Sequence, residues 1–331
     1  MSYPRGIRGL SNGCFLRNYF CRHFLDCIRA IGLALAAAVT PAAAAPLYVS
    51  SYGNSTIEQF SATGVGSPFS AASLNGPSGV AFDSFGNLFV SSVNDSTIVK
   101  IDPHGAPSVF ANSFLNLPEG LAFDSSGDLY VAVAADNRVD RYSSAGGRSV
   151  FASSSLDFPV ALAFDSTGNL YVANVNSNTI TRFDPQGQPS LFASTHLVSP
   201  DGLAFDSSGN LFVSNLDDNS IYRFTPDGQG ALFANSLLNA PRGLAFDPDG
   251  NLYVANLHDT NIVKFTPAGT GSVFATDNLD LPQYIAFATV PEPSSSLLLF
   301  VFCGVLLRLR PGREAGTIRP AHLYSASIAS P

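Results

Sequence analysis

The chain is expected to be all-β: a six-bladed β-propeller of four-stranded antiparallel blades, closed by pairing of its N- and C-terminal strands. Three observations lead there. A proline recurs every 41 residues, each repeat holds four short apolar runs, and the first and last repeats are incomplete in complementary ways.

The prolines are Pro77, Pro118, Pro159, Pro200, Pro241 and Pro282, with no insertion between them. A period of roughly 40 residues with four short strands is the pattern of propeller blades. In the unit starting at Pro200, residues 202–205 read as strand a, 211–213 as strand b, 220–224 as strand c and 231–234 as strand d. Asp-Ser-Ser-Gly-Asn joins a to b, with Asp capping the turn and Gly supplying the positive φ. Thr-Pro-Asp-Gly joins c to d, where Pro fixes φ at the first corner. Phe82, Phe123, Phe164, Phe205, Phe246 and Phe287 share one repeat position, and Phe69, Phe110, Phe151, Phe192, Phe233 and Phe274 share another. Blades packed face to face need large apolar groups at fixed places, and these supply them.

Register sets the blade count. Residues 77–281 make five units. Leu47-Tyr48-Val49 lies one period before Leu88-Phe89-Val90, so residues 47–76 supply strands b, c and d of a sixth blade. The missing strand a follows Pro282, and pairing it with residues 47–49 closes the ring and removes an open edge. The recurring Pro-x-Gly-Leu-Ala-Phe-Asp-x-x-Gly-Asn-Leu-Tyr-Val-Ala resembles NHL repeats, and more distantly the SMP-30/gluconolactonase and TolB-like families. That resemblance covers residues 47–288 and implies the propeller fold, whose members serve as lactonases, lyases, sensors and binding platforms.

The two ends read as addresses. Arg5, Arg8, Arg17, Arg22 and Arg29 precede an apolar stretch over residues 31–39 and the small residues 42–45. This is the order of a secretory signal peptide, assigned to residues 1–45 and cut near Ala44. At the other end Pro291-Glu292-Pro293 precedes three serines, eleven apolar residues (297–307) and then Arg308, Arg310 and Arg313. These parts resemble the PEP-CTERM sorting signal, which implies processing by an exosortase at Pro291, Glu292 and Pro293. The arginines would hold the far end of the apolar run in the cytoplasm. The reading therefore divides the chain into a signal peptide (1–45), a propeller (46–289), a sorting signal with its hydrophobic span (290–313) and a disordered tail (314–331).

Composition narrows the function. Residues 45–293 hold eight Lys/Arg and 23 Asp/Glu, a net of −15, while nine of the 17 basic residues lie in the ends. Such a body repels phosphate backbones, so no nucleic-acid partner is expected. The cysteines are Cys14, Cys21, Cys27 and Cys303, and the repeats contain none, which excludes a disulfide framework there.

A catalytic site in a propeller needs one blade to differ at the channel. Asp83, Asp124, Asp165, Asp206 and Asp247 recur at the a–b turns and read as turn caps. Asn174, Asn215 and Asn256 end strand b and read as Asx-type turns. His104, His196 and His258 fall in connections, with no metal-ligand spacing. The residue after each blade proline does vary: Ser78, Glu119, Val160, Asp201, Arg242, Gln283. These six are placed at the channel mouth, with Glu119 facing Arg242 across the axis and Asp201 beside it. Of them Ser78, Glu119, Asp201, Arg242 and Gln283 form the candidate site for a small polar ligand. No cofactor is required, although Ca2+ or another divalent cation is the group such carboxylates could hold. The expected protein is an exported monomer, membrane-anchored through its C-terminal segment and then periplasmic, cell-surface or extracellular after processing. Its expected partners are signal peptidase and exosortase during maturation, then an exopolysaccharide or envelope protein. A binding or structural module is expected rather than an enzyme; the alternative is a metal-dependent lactonase, hydrolase or lyase acting at the channel mouth.

Overall fold

The structure is a computed structural model that describes residues 45–70, 74–144 and 146–288. The leader up to residue 44, the sorting signal, the tail and all four cysteines lie outside the described residues. Among the described residues, twenty-four strands form six sheets of four, and no helix is long and apolar enough to cross a membrane.

Five sheets are each one 41-residue repeat and the sixth joins the two incomplete ones, so the expected blade count is correct. The first strands of the blades are β4 (Pro77–Phe82), β8 (Pro118–Phe123), β12 (Pro159–Phe164), β16 (Pro200–Phe205), β20 (Pro241–Phe246) and β24 (Pro282–Phe287). They neighbour one another in a closed ring, with β24 against both β20 and β4, and so surround the central channel. We number the blades I to VI in that order. Strand a begins at the proline, two residues before the run predicted from sequence. Proline has no N–H to donate, so the first position of a strand suits it. A bulge follows at once, as between Pro200 and Leu203 opposite β17 (Leu211–Asn215). The extra residue there interrupts the ladder and re-aims the neighbouring side chains.

Blade VI is closed by the two chain ends. β24 pairs antiparallel with β1 (Leu47–Ser51), Leu47 opposite Phe287 and Val49 opposite Ile285, and Ala288 N–H donates to Pro46 O at 3.1 Å. β2 (Thr56–Phe60) and β3 (Gly66–Ser70) complete that sheet.

The a–b turns form as the sequence implies. Asp206 Oδ1 accepts from the N–H groups of Ser208 and Asn210 at 2.9 and 2.8 Å, and its Oδ2 accepts from Asn210 Nδ2 at 2.8 Å. Gly209 sits at φ +81°, where a Cβ would be strained. Both carboxylate oxygens are thereby used within the turn.

The twelve repeated phenylalanines also take the roles predicted for them, with a partner the sequence reading passed over. In every blade the aromatic residue of strand b lies edge-on between two of them. Phe212 meets Phe233 of its own outer strand at 4.9 Å and Phe246 of the next blade's inner strand at 5.0 Å. Tyr48 does the same with Phe69 and Phe82 at 4.8 and 5.0 Å, so the blade built from both chain ends carries the motif as well. Edge-to-face pairs are worth about 0.5–1.5 kcal/mol each beyond their burial, and the motif occurs six times around the ring.

Phe212→Ala is therefore expected to cost about 3–5 kcal/mol in urea unfolding, through the lost packing and the cavity left behind. Phe85→Ala, at a turn residue that is 79% exposed, should stay within about 0.5 kcal/mol. Equal costs for the two would contradict this assignment of the packing.

Candidate functional site

The mouth ring is held in place from behind by short polar side chains. Ser50, Ser91 and Ser214, on strand b of blades VI, I and IV, each donate to the carbonyl of the mouth residue one blade on: Ser78 O at 2.6 Å, Glu119 O at 2.8 Å and Arg242 O at 2.6 Å. Inner strands pack so tightly that a Cβ on Gly202 would collide with the carbonyl of Arg242, and one on Gly79 with that of Glu119. Five of the six blades have a small residue there: Gly79, Gly120, Ala161, Gly202 and Gly243.

The structure brings the predicted mouth residues together as two bonded pairs plus Gln283. Ser78 Oγ donates to Glu119 Oε2 at 2.5 Å. Arg242 donates from Nε and Nη2 to Asp201 Oδ2 at 3.0 and 2.7 Å. Asp201, Ser78 and Gln283 are buried, while Glu119 and Arg242 keep partial exposure to the channel. Gln283 Nε2 donates to Leu281 O at 3.2 Å. Two buried acceptors, Asp201 Oδ1 and Gln283 Oε1, have no hydrogen-bond partner.

Electrostatics in the ring follow from burial. Desolvation raises the pKa of the Glu119 carboxyl; the positive field of Arg242 and the Ser78 hydrogen bond oppose that rise, and Asp201 adds to it. Burial disfavours the charged form of Arg242, but Asp201, Tyr284 and Glu119 together more than offset it, and the guanidinium is held more firmly protonated than usual.

Tyr284 is the residue that sequence reasoning missed. It occupies in blade VI the position that is Gly or Ala in the other five. Its ring reaches across the channel, with the hydroxyl 3.1 Å from Val160 O of blade III and 3.3 Å from Asp201 O of blade IV. One hydroxyl hydrogen serves these two acceptors. The guanidinium of Arg242 lies over the ring at 5.9 Å from its centroid. Burial raises the phenol pKa well above its ordinary value, and Asp201 adds to the rise. The signal was present as the break from Gly-Leu-Ala-Phe to Tyr-Ile-Ala-Phe in the last repeat.

The other polar positions are structural. Asn174, Asn215 and Asn256 do more than turn the chain at the end of strand b. Their side chains tie that end to the connection entering the blade, as when Asn215 Oδ1 accepts from Val198 N–H at 3.2 Å while its Nδ2 donates to His196 O at 2.9 Å. His196 stacks on Tyr222 at 5.0 Å, His104 lies in a c–d turn and His258 in a b–c loop, so none of the three is on an inner strand. Among the described residues, no three His, Cys, Asp or Glu side chains are grouped as a metal site requires.

Comparison with known proteins gives one family and a set of shared folds. Residues 69–288 match the model of the virginiamycin B lyase family. A propeller from a nidogen/laminin complex aligns with TM-score 0.68 and 20% identity, over 74% of this chain and 98% of that one. A streptogramin B lyase aligns with TM-score 0.60 and 15% identity, over 76% and 90%. A catalytically inactive variant of virginiamycin B lyase from Staphylococcus aureus, with quinupristin, aligns with TM-score 0.57 and 16% identity, over 72% and 87%. No curated protein matches the chain by sequence.

The raised pKa of Glu119 carries a pH signature. A carboxyl whose pKa is higher folded than unfolded contributes nothing unfavourable below its unfolded pKa, and its stability contribution is lost as pH rises through the folded value. Glu119→Gln should therefore gain stability relative to the parent protein as pH rises across that window, then level off. A stability difference that is flat with pH in denaturant titrations would contradict the burial of this carboxyl.

Proposed function

The chain belongs to the virginiamycin B lyase family, and from that premise we propose that it acts as a ligand- or protein-binding propeller of the cell envelope or exopolysaccharide matrix. The observation that carries this reading is the pair of unpartnered acceptors at the mouth, Asp201 Oδ1 and Gln283 Oε1. A buried acceptor without a partner costs about 1–3 kcal/mol, which a ligand presenting O–H or N–H donors recovers. The remaining polar groups are already engaged: Glu119 with Ser78, Arg242 with Asp201, and Tyr284 with backbone carbonyls beneath. A rigid ring with spare acceptors suits recognition of a hydroxyl-rich or amine-bearing ligand.

The second reading is a lyase or lactonase, and Glu119 favours it. A carboxyl with a raised pKa, partly open to the channel, is suited to general acid–base work. A divalent cation fits the mouth poorly, because the Arg242 guanidinium already occupies the Asp201 carboxylate and Ca2+ takes about six to eight oxygens. Export and sorting complete the proposal. The leader directs export through signal peptidase, and an exosortase acts at Pro291-Glu292-Pro293 with Arg308, Arg310 and Arg313 behind it. The processed monomer then remains at the envelope or in the matrix.

Binding of exopolysaccharide fragments to the purified protein should weaken about tenfold, near 1.4 kcal/mol, in Asp201→Asn and Gln283→Leu. A stoichiometric divalent metal that disappears in Glu119→Ala and Asp201→Ala would instead select the enzymatic reading. Deleting residues 290–313 should abolish envelope retention in fractionated cells, and an unchanged distribution would refute the sorting assignment.

A further inference from the structure

A second site lies away from the channel, at the third residue of strand c. This position reads Val99, Asp140, Thr181, Tyr222, Val263 and Glu58 around the ring, so two blades of six place a carboxylate there. In blade II the carboxylate is neutralised by its own chain. Asp140 is 0% exposed; Arg138 Nε donates to its Oδ1 at 3.0 Å, and Arg148 donates from Nε and Nη2 at 2.9 and 3.0 Å. The Arg148 guanidinium also lies over the Phe114 ring, 4.8 Å from its centroid.

In blade VI the carboxylate is present and the cations are not. Glu58 is 2% exposed, its Oε1 accepts from Thr56 Oγ1 at 2.9 Å, and its Oε2 has no hydrogen-bond partner. The counterparts of Arg138 and Arg148, two periods away, are Thr56 and Gly66. Among the described residues, no Lys, Arg or His pairs with Glu58. A buried carboxylate with one oxygen unbonded is costly unless a cation reaches it.

The same place in the fold is open where its side chains are short. In blade III, Ser155, Asp157, Thr179, Thr181 and Leu191 line a cavity of about 340 Å3. Their counterparts in blade VI are Asn278, Asp280, Thr56, Glu58 and Pro68, again without a long side chain. Asp280, the counterpart of Asp157, holds its carboxylate over Gly53 in the b–c loop of the same blade, and Asn54 Nδ2 in that loop donates to Asn278 O at 2.8 Å.

We infer that Glu58 forms the floor of a cleft in blade VI that binds a guanidinium or alkylammonium cation, as Asp140 binds the arginines of blade II. The cation comes either from a free small molecule or from an Arg or Lys side chain of a partner.

The test uses methylguanidinium, titrated calorimetrically into the full-length protein. The expected result is one bound equivalent and a melting temperature that rises with its concentration, since the cation binds only the folded state. Glu58→Gln should weaken binding about tenfold or more, because the charge-assisted hydrogen bonds are lost. Thr56→Arg, which supplies the guanidinium internally as Arg138 does, should melt higher than the parent and no longer respond to methylguanidinium. N-acetyl-arginine amide binding as tightly as methylguanidinium or tighter would identify a protein side chain as the source, and weaker binding a free cation. Absence of binding to the parent protein, or binding that survives in both Glu58→Gln and Thr56→Arg, overturns the inference.

Discussion

The structure depends on one repeated contact, the aromatic ring of strand b held edge-on between two phenylalanines, one from its own blade and one from the next. Each copy fixes both the distance and the angle between neighbouring sheets. Because the geometry at Tyr48 matches that at Phe212, the blade built from both chain ends packs on the next blade as the others do. A contact that repeats without variation rotates each blade by the same amount, and six such steps close the circle.

Closing the circle creates the constraint at its centre. The inner strands approach until a methyl group no longer fits beside most of their third residues, so glycine dominates there. The residues just before them are then forced together, and polar groups that water would otherwise solvate must satisfy one another. Ser78 with Glu119 and Asp201 with Arg242 are the outcome, and the acceptors left over are what the ring can offer a visitor. Tyr284 reaches across the ring and bonds the carbonyls of two mouth residues, Val160 and Asp201. Lyase relatives share the scaffold, but the chemistry of any propeller is decided by these few inward side chains.

Most of the fold was legible because it was written six times. Proline spacing, twelve phenylalanines and the Asp-x-x-Gly-Asn turns each gave the same register, and agreement among independent local signals is what makes a sequence readable. The mouth was legible in part for the opposite reason. Its residues could be located as the position where the repeat stops repeating, but their pairing could not, since the spacing from Ser78 to Glu119 equals that from Glu119 to Val160 and only side-chain reach separates partners. Tyr284 was overlooked because periodic reading rewards what recurs and passes over a single substitution. Glu58 and Asp140 share a position, yet only the structure shows that one has guanidinium neighbours and the other has none.

The seam between β24 and β1 also gives the ring a direction. Pro46 and Ala288 are hydrogen-bonded neighbours at the ends of the strands away from the mouth, so the described ring begins and ends on the side opposite its polar residues.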